Sequence, residues 1–314
     1  MRLAPGCVYS LSDIYAAALP WRNGLPSITG SVAIDGQGAV IERVACTPNF
    51  RFFYVAPGGS LTLRNLTLSQ GQAVAGVGSA GAGGAIYSAG NLVMRAVTVT
   101  ANLVEGGLGT DCGPYTTLPG HPALGGAVFV AGGEADIASC AFSGNVAQGG
   151  SSAANVCSSS TPNDCRYSGI AQGAEAPPLS FLESFGLGGL GGVATNPTRV
   201  PGAPGGFGGG SGGAGSQSYA SNIGGSPHLI GGPGGGGGGG AFGGALFVYS
   251  GAVNITNSVF SDNRAVGGLG GLGEGSGCCH SPAGQPGQGL GADIFWFGGS
   301  LNLVGTRASV AKSP

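Results

Sequence analysis

Seven aspartates, Asp13, Asp35, Asp111, Asp136, Asp164, Asp262 and Asp293, are the side chains of this sequence best suited to polysaccharide chemistry. Glycan cleavage needs carboxylates in pairs, as acid and base or nucleophile, or as calcium ligands with a cationic base beside them. No two of the seven are adjacent in sequence. Asp136 and Asp262 fall one repeat apart only if residues 151–242 loop out, and then in different columns. Both read as outward or turn-capping residues.

Other motifs fare no better. GGLGTDCGP at 106–114 begins like a calcium-binding nonapeptide, but Gly113 stands where an apolar residue should follow, and no tandem copy completes the coordination. Cys278, Cys279 and His280 lack the C-x2-C spacing of a metal site, and two adjacent cysteines splay apart. GVGSAG at 76–81 satisfies GxGxxG and GGSGG at 209–213 satisfies GxSxG, yet neither joins a strand to a helix, and 70 glycines make such matches expected. His121, His228 and His280 sit in irregular stretches without partners in view. No catalytic, cofactor-binding or metal-ligating set emerges, and no cofactor is expected.

The elements that must carry any site repeat along the chain. Residues 83–107, 125–150 and 243–268 each open on GGA, an aliphatic and an aromatic residue, and each close on Gly-Gly. Between lie two short runs with apolar residues two apart, which is strand periodicity. One column reads Leu61 and Leu63, Leu92 and Met94, Ala135 and Ile137, Val253 and Ile255, Leu301 and Leu303. The next reads Leu66 and Leu68, Val97 and Val99, Cys140 and Phe142, Ser258 and Phe260, and residues 31–44 add an earlier copy. One such unit cannot bury its apolar face alone, whereas parallel stacking makes each column a continuous core. The expected fold is all-β, a single-stranded right-handed parallel β-helix.

Turn chemistry supports this reading. Asn65 and Asn257 share one bend, and Asn102, Asn145 and Asn263 the next, where asparagine tolerates left-handed geometry and stacked copies bond as a ladder. Phe142 and Phe260 should stack in step with that ladder. The irregular stretches at about 108–124, 151–242 and 269–290 all enter at one point of the cycle, so they should emerge from one edge as tolerated loops. The expected organisation is one domain over 1–314 with a glycine-rich insertion at 151–242.

That insertion holds Tyr167, Phe181, Phe185, Phe207 and Tyr219 on a Gly/Ser/Pro background. Tyr167, Phe181, Phe185 and Tyr219 are candidate ligand contacts. The alternative is that these rings pin the loop against the rod, since ordering a glycine-rich chain on a ligand costs entropy. Among eight cysteines, Cys140 matches the core positions Leu66, Val97 and Ser258. Cys157 with Cys165, close together in one polar loop, is the first disulfide candidate, and Cys7 with Cys46 the second.

Composition excludes several classes. With 8% charged residues, ten arginines, one lysine and a formal net charge of −2, there is no basic stripe for nucleic acid. No apolar run reaches the length of a membrane-spanning helix. MRLAPGCVYSLSD has no apolar core of a signal peptide, so the chain is expected to be a fragment whose export signal lies upstream.

The pairing of GGA[I/L/V] with FxxN resembles the repeat of the polymorphic outer membrane protein family. The chain has GGAI at 83–86, GGAV at 125–128, GGAL at 243–246, FSGN at 142–145 and FSDN at 260–263. LPSITGSVAIDGQGAVIERV and FRFFYVAPGGSLTLRNLTL are similar to the opening rungs of secreted right-handed β-helix proteins. Two departures stand out: VTVTAN replaces the phenylalanine unit, and Gly291-Ala-Asp-Ile-Phe replaces a fourth GGA unit. The resemblance implies a non-enzymatic extracellular or outer-surface protein, like autotransporter passenger domains, that works in adhesion or as a structural spacer. Its partner would be a glycan or a surface protein. The alternative is a polysaccharide lyase or hydrolase on the same fold.

Overall fold

A computed structural model describes residues 1–15, 22–76, 78–109, 119–152, 185–188, 190, 201–214, 219–221, 228–230, 234–273 and 281–314. Among these residues no helix forms, and the architecture is all-β. Tyr167, Phe181, Cys157 and Cys165 lie outside the described residues.

The period-two runs become strands that pair in parallel with their counterparts in neighbouring repeats. The largest sheet orders Val8–Leu11, Ser31–Arg43, Ser60–Ser69, Asn91–Thr100, Glu134–Ala138, Ala252–Thr256 and Ser300–Val304. Its register matches the sequence columns, with Leu61 opposite Leu92, Ala135 opposite Leu92 and Val253, and Val253 opposite Leu301. Ala141–Ser143 and Val259–Ser261 continue it, setting Val99, Phe142 and Phe260 side by side.

Three further parallel sheets complete the described core. One runs Phe53–Val55, Ile86–Ser88, Val128–Val130, Leu246–Val248, Ile294–Trp296 and Val310–Lys312. Another holds Gly81–Ala82, Ala123–Leu124, Ala241–Phe242 and Gly289–Leu290, and the last Gln72–Val74, Leu103–Glu105, Val146–Gln148 and Arg264–Val266. Strands buried on both faces lose polar alternation, which explains the aliphatic-aromatic pair after each GGA. Ile86, Val128 and Leu246 enter the core shared with the largest sheet. Tyr87, Phe129 and Phe247 point the other way into a second core with Leu124, Phe242 and Phe185. Tyr54, Tyr87, Phe129, Phe247 and Phe295 stack in file at centroid spacings of 5.4, 4.9, 5.3 and 5.4 Å.

The bends differ from the sequence expectation in an instructive way. Left-handed backbone recurs at Gln37, Asn65, Ala96, Ser139 and Asn257, so the first bend imposes that geometry on whatever residue stands there. At the second bend the left-handed residue is Gln70, Ala101, Gly144 or Asp262, each one place before Gly71, Asn102, Asn145 or Asn263. The ladder asparagines therefore do not make the turn. They bridge it: Asn102 Nδ2 donates to Asn145 Oδ1, and Asn145 Nδ2 to Asn263 Oδ1, both at 2.9 Å. Phe142 and Phe260 stack beside them at 4.6 Å and 6°.

Cys7 is a free, exposed thiol, so the expected bond to Cys46 is not made. The parallel register explains why: Val40 donates to the Cys7 carbonyl, whereas Cys46 lies beyond Arg43, whose partner is Leu11. Leu11 is four residues from Cys7, roughly 13 Å along a strand, and a disulfide needs Cα atoms within about 7 Å.

The sequence alone leaves open whether the glycine-rich tracts are loose or packed as extended strands, and the central tract is packed. Residues 234–240 are all buried. Gly235, Gly238 and Ala241 donate to the carbonyls of Pro282, Gln285 and Gln288, while Gly213 and Gly210 donate to Gly235 and Gly238. Gly271 and Gly268 donate to Gly236 and Gly239, and Gly120 donates to Gly237. The recurring three-residue step is that of polyproline II, which makes no internal hydrogen bonds and must satisfy its backbone through neighbours. Only glycine allows this approach: a Cβ on Gly238 would lie 1.9 Å from the Gly268 carbonyl oxygen.

Candidate binding groove

Repeats that place the same column on the same face also align the segments beyond each strand. In the sheet of Gln72–Val74, Leu103–Glu105, Val146–Gln148 and Arg264–Val266, the middle residues Ala73, Val104 and Ala147 are buried. Their flanking neighbours turn outward, with Leu103 opposite Val146 and Glu105 opposite Gln148. Each of the last three strands then runs through Gly-Gly into an extended segment, setting Leu108, Ser151 and Leu269 beyond Glu105, Gln148 and Val266. Gly109 donates to the Ser151 carbonyl and Ser152 to that of Leu269, so the segments stay in step.

Over the outward-facing residues of the first two of these rungs lies a groove of about 510 Å3, lined by residues of 101–108 and 144–151. Leu103, Val146 and Leu108 supply aliphatic surface, and Glu105, Gln148 and Ser151 supply polar groups. Gln148 Nε2 also donates weakly to Gly149 and Gly267 carbonyls, and Ser151 Oγ accepts from the Leu269 amide at 3.0 Å, which fixes both side chains. Val266, Leu269 and Leu272, 41%, 69% and 67% exposed, stand on the adjoining rung. Such a surface can hold an extended chain by hydrogen bonds and apolar contact. Among the described residues, Glu105 is the one carboxylate in its lining.

Three aspartates elsewhere have structural surroundings. Asp136 is paired with Arg95, and Asp35 lies 3.9 Å from Arg2. Asp293 accepts from Asn263 Nδ2 and from the Ser309 amide and hydroxyl. His121 is half-buried, and burial pushes its pKa down to about 4. Arg51, fully buried over the Tyr87 ring at 5.4 Å, has its pKa lowered to about 10 by desolvation. Ser211 of GGSGG lies in the glycine packing, its carbonyl accepting from Gln285.

Of the candidate ligand contacts, Phe185 and Tyr219 lie within the described residues. Phe185 is 7% exposed and lies among Phe242, Phe297, Phe207, Phe295 and Phe247 at 4.6, 4.9, 5.2, 5.8 and 6.3 Å. Its ring fills the second core and is not offered to solvent. Tyr219 starts an antiparallel hairpin, Tyr219–Ser221 with His228–Ile230. The groove residues Glu105, Gln148 and Ser151 were missed from sequence, although the recurring x-Gly-Gly-x after each third strand marks them.

Among the described residues no helix is long and apolar enough to cross a membrane, and no cluster of His, Cys, Asp or Glu could hold a metal ion. Comparison with family models, curated proteins and solved structures finds no match.

Proposed function

We propose that this chain is a right-handed parallel β-helix protein of the polymorphic outer membrane protein repeat kind, surface-exposed or secreted, which acts by adhesion and not by turnover. The observation that supports this most is the open groove over residues 101–108 and 144–151, lined by aliphatic and hydrogen-bonding side chains. Among the described residues its lining holds one carboxylate, Glu105, whereas glycoside cleavage uses two. A glycan segment suits its mixed polar and apolar lining. The stacked sheets hold that surface rigid, which lowers the entropy lost on binding.

The test is retention of purified protein on a panel of immobilised polysaccharides, with released reducing ends and unsaturated products measured in parallel. Adhesion predicts retention on at least one glycan, no product above a boiled control, and about tenfold weaker binding in Gln148→Ala, the factor worth 1.4 kcal/mol. Product release from any substrate would end the adhesion reading. Unchanged retention of a Gln148→Ala, Ser151→Ala double variant would deny the groove its role as the binding surface.

A further inference from the structure

Residues 201–207 read PGAPGGF. Their exposure repeats every three residues: Pro201, Pro204 and Phe207 are exposed, while Gly202, Ala203, Gly205 and Gly206 are partly covered. Three residues per turn is the polyproline II period, so the two prolines and the phenylalanine form one ridge, with successive side chains about 9 Å apart.

The segment is held in that shape from beneath. Ala203 donates to the Leu190 carbonyl and Gly206 to that of Leu187, both at 2.8 Å, a three-residue step on an antiparallel neighbour. Gly212 donates back to the Ala203 carbonyl at 2.9 Å. A Cβ on Gly202 or Gly205 would lie 2.2 or 2.4 Å from the carbonyl oxygens of Gly212 and Gly209. Phe207 anchors the end of the ridge, 5.2 Å from Phe185 and 6.0 Å from Phe242, yet remains 37% exposed.

We propose that the Pro201, Pro204 and Phe207 ridge is a docking element for a partner protein whose aromatic-lined groove accepts a polyproline II chain. Such grooves read a P-x-x-P spacing and exploit a helix that is already formed. Free proline-rich peptides are only partly ordered, whereas this one is bonded to its neighbours along its length, so less ordering entropy is lost on capture. The ridge shares no residue with the groove over 101–108 and 144–151, so either surface can fail its test without the other.

The experiment titrates the full chain against a panel of purified SH3 and WW domains by calorimetry. The expected result is saturable binding to at least one domain, competed by free decaproline. Binding should weaken at least about tenfold, equivalent to 1.4 kcal/mol, in a Pro201→Ala, Pro204→Ala variant. A Pro282→Ala, Pro286→Ala variant, altered at exposed prolines four residues apart, should bind like the parent. No binding by any domain, indifference to decaproline, or equal loss in both variants would each overturn the proposal. Thermal melts of both variants separate lost contact from lost folding, and the decaproline competition needs no variant.

Discussion

Asn263 Nδ2 donates to Asp293 Oδ1 at 2.9 Å, so the buried asparagine file ends on a carboxylate. The same carboxylate accepts from the amide and hydroxyl of Ser309 at 2.7 and 2.9 Å. Asp293 thus supplies the final acceptor of a chain in which Asn102, Asn145 and Asn263 each donate to the next member. A carboxylate suits that terminus because it only accepts, and nothing beyond it needs a donor.

Asp293→Ala should leave one hydrogen of the buried Asn263 amide without an acceptor, its other partner being the Phe142 carbonyl, while the exposed Ser309 donors can turn to water. Each unsatisfied buried donor costs about 1–3 kcal/mol. Asp293→Asn keeps an acceptor for Asn263 but cannot accept from both Ser309 groups with its amide nitrogen, so its loss should be smaller. Urea unfolding of the three proteins checks the order. Equal stability of Asp293→Ala and the parent would show that the file needs no terminal acceptor.

Gly238 and Gly30 should respond oppositely to alanine. A Cβ on Gly238 falls 1.9 Å from backbone oxygen, while one on Gly30 meets nothing within 4 Å, and Gly30 does not require a positive φ. Gly238→Ala must push apart hydrogen-bonded segments, and overpacking of this kind costs typically 1–3 kcal/mol. Gly30→Ala should be neutral or stabilising by up to about 1 kcal/mol through reduced unfolded-state entropy. Paired thermal melts decide. A Gly238→Ala protein as stable as the parent would mean the glycine segments do not pack as described.

Those two glycines also show how far the sequence could be read. The columns Leu61, Leu92, Ala135, Val253 and Leu301 were legible because period two acts on every repeat. The left-handed bends at Ala96 and Ser139 were not, because neither residue type favours that backbone and the stacking above and below imposes it. Glycine composition signals freedom in isolation, and the packing of residues 234–240 depends on neighbours more than a hundred residues away, such as Gly120. Glu105, Gln148 and Ser151 escaped notice for a similar reason: only the alignment of extended segments after the strands makes a groove of them.

Acid should weaken the packing around His121. Its amide donates to Gly107 and its carbonyl accepts from Gly150, and burial lowers its pKa from 6.5 to about 4. Above pH 6.5 the imidazole is neutral folded and unfolded, so it adds no pH dependence. Between 6.5 and 4 the unfolded chain takes up a proton that the folded chain does not, and stability falls as pH falls. The whole effect approaches about 3 kcal/mol below pH 4. His121→Gln should remove that part of the slope, measured as the difference in urea unfolding free energy between pH 7 and pH 4.5. An identical slope in the variant would place the titration elsewhere.

Phe185 should act as the pin that holds the described part of the insertion to the second core. Gly186 and Gly188 follow it directly, with Gly240 donating to the Gly186 carbonyl and Gly188 donating to that of Gly120. Phe-to-Ala changes at buried sites cost about 3–5 kcal/mol. Here the loss should be local, because the ring touches one end of the glycine packing while Leu61, Leu92 and Ile137 sit in a separate core. Hydrogen exchange of Phe185→Ala should therefore quicken at the Gly188, Gly206 and Gly240 amides and stay slow in Ser60–Ser69 and Asn91–Thr100. Uniformly faster exchange would make Phe185 part of one cooperative core, and unchanged exchange at Gly240 would deny it the pinning role.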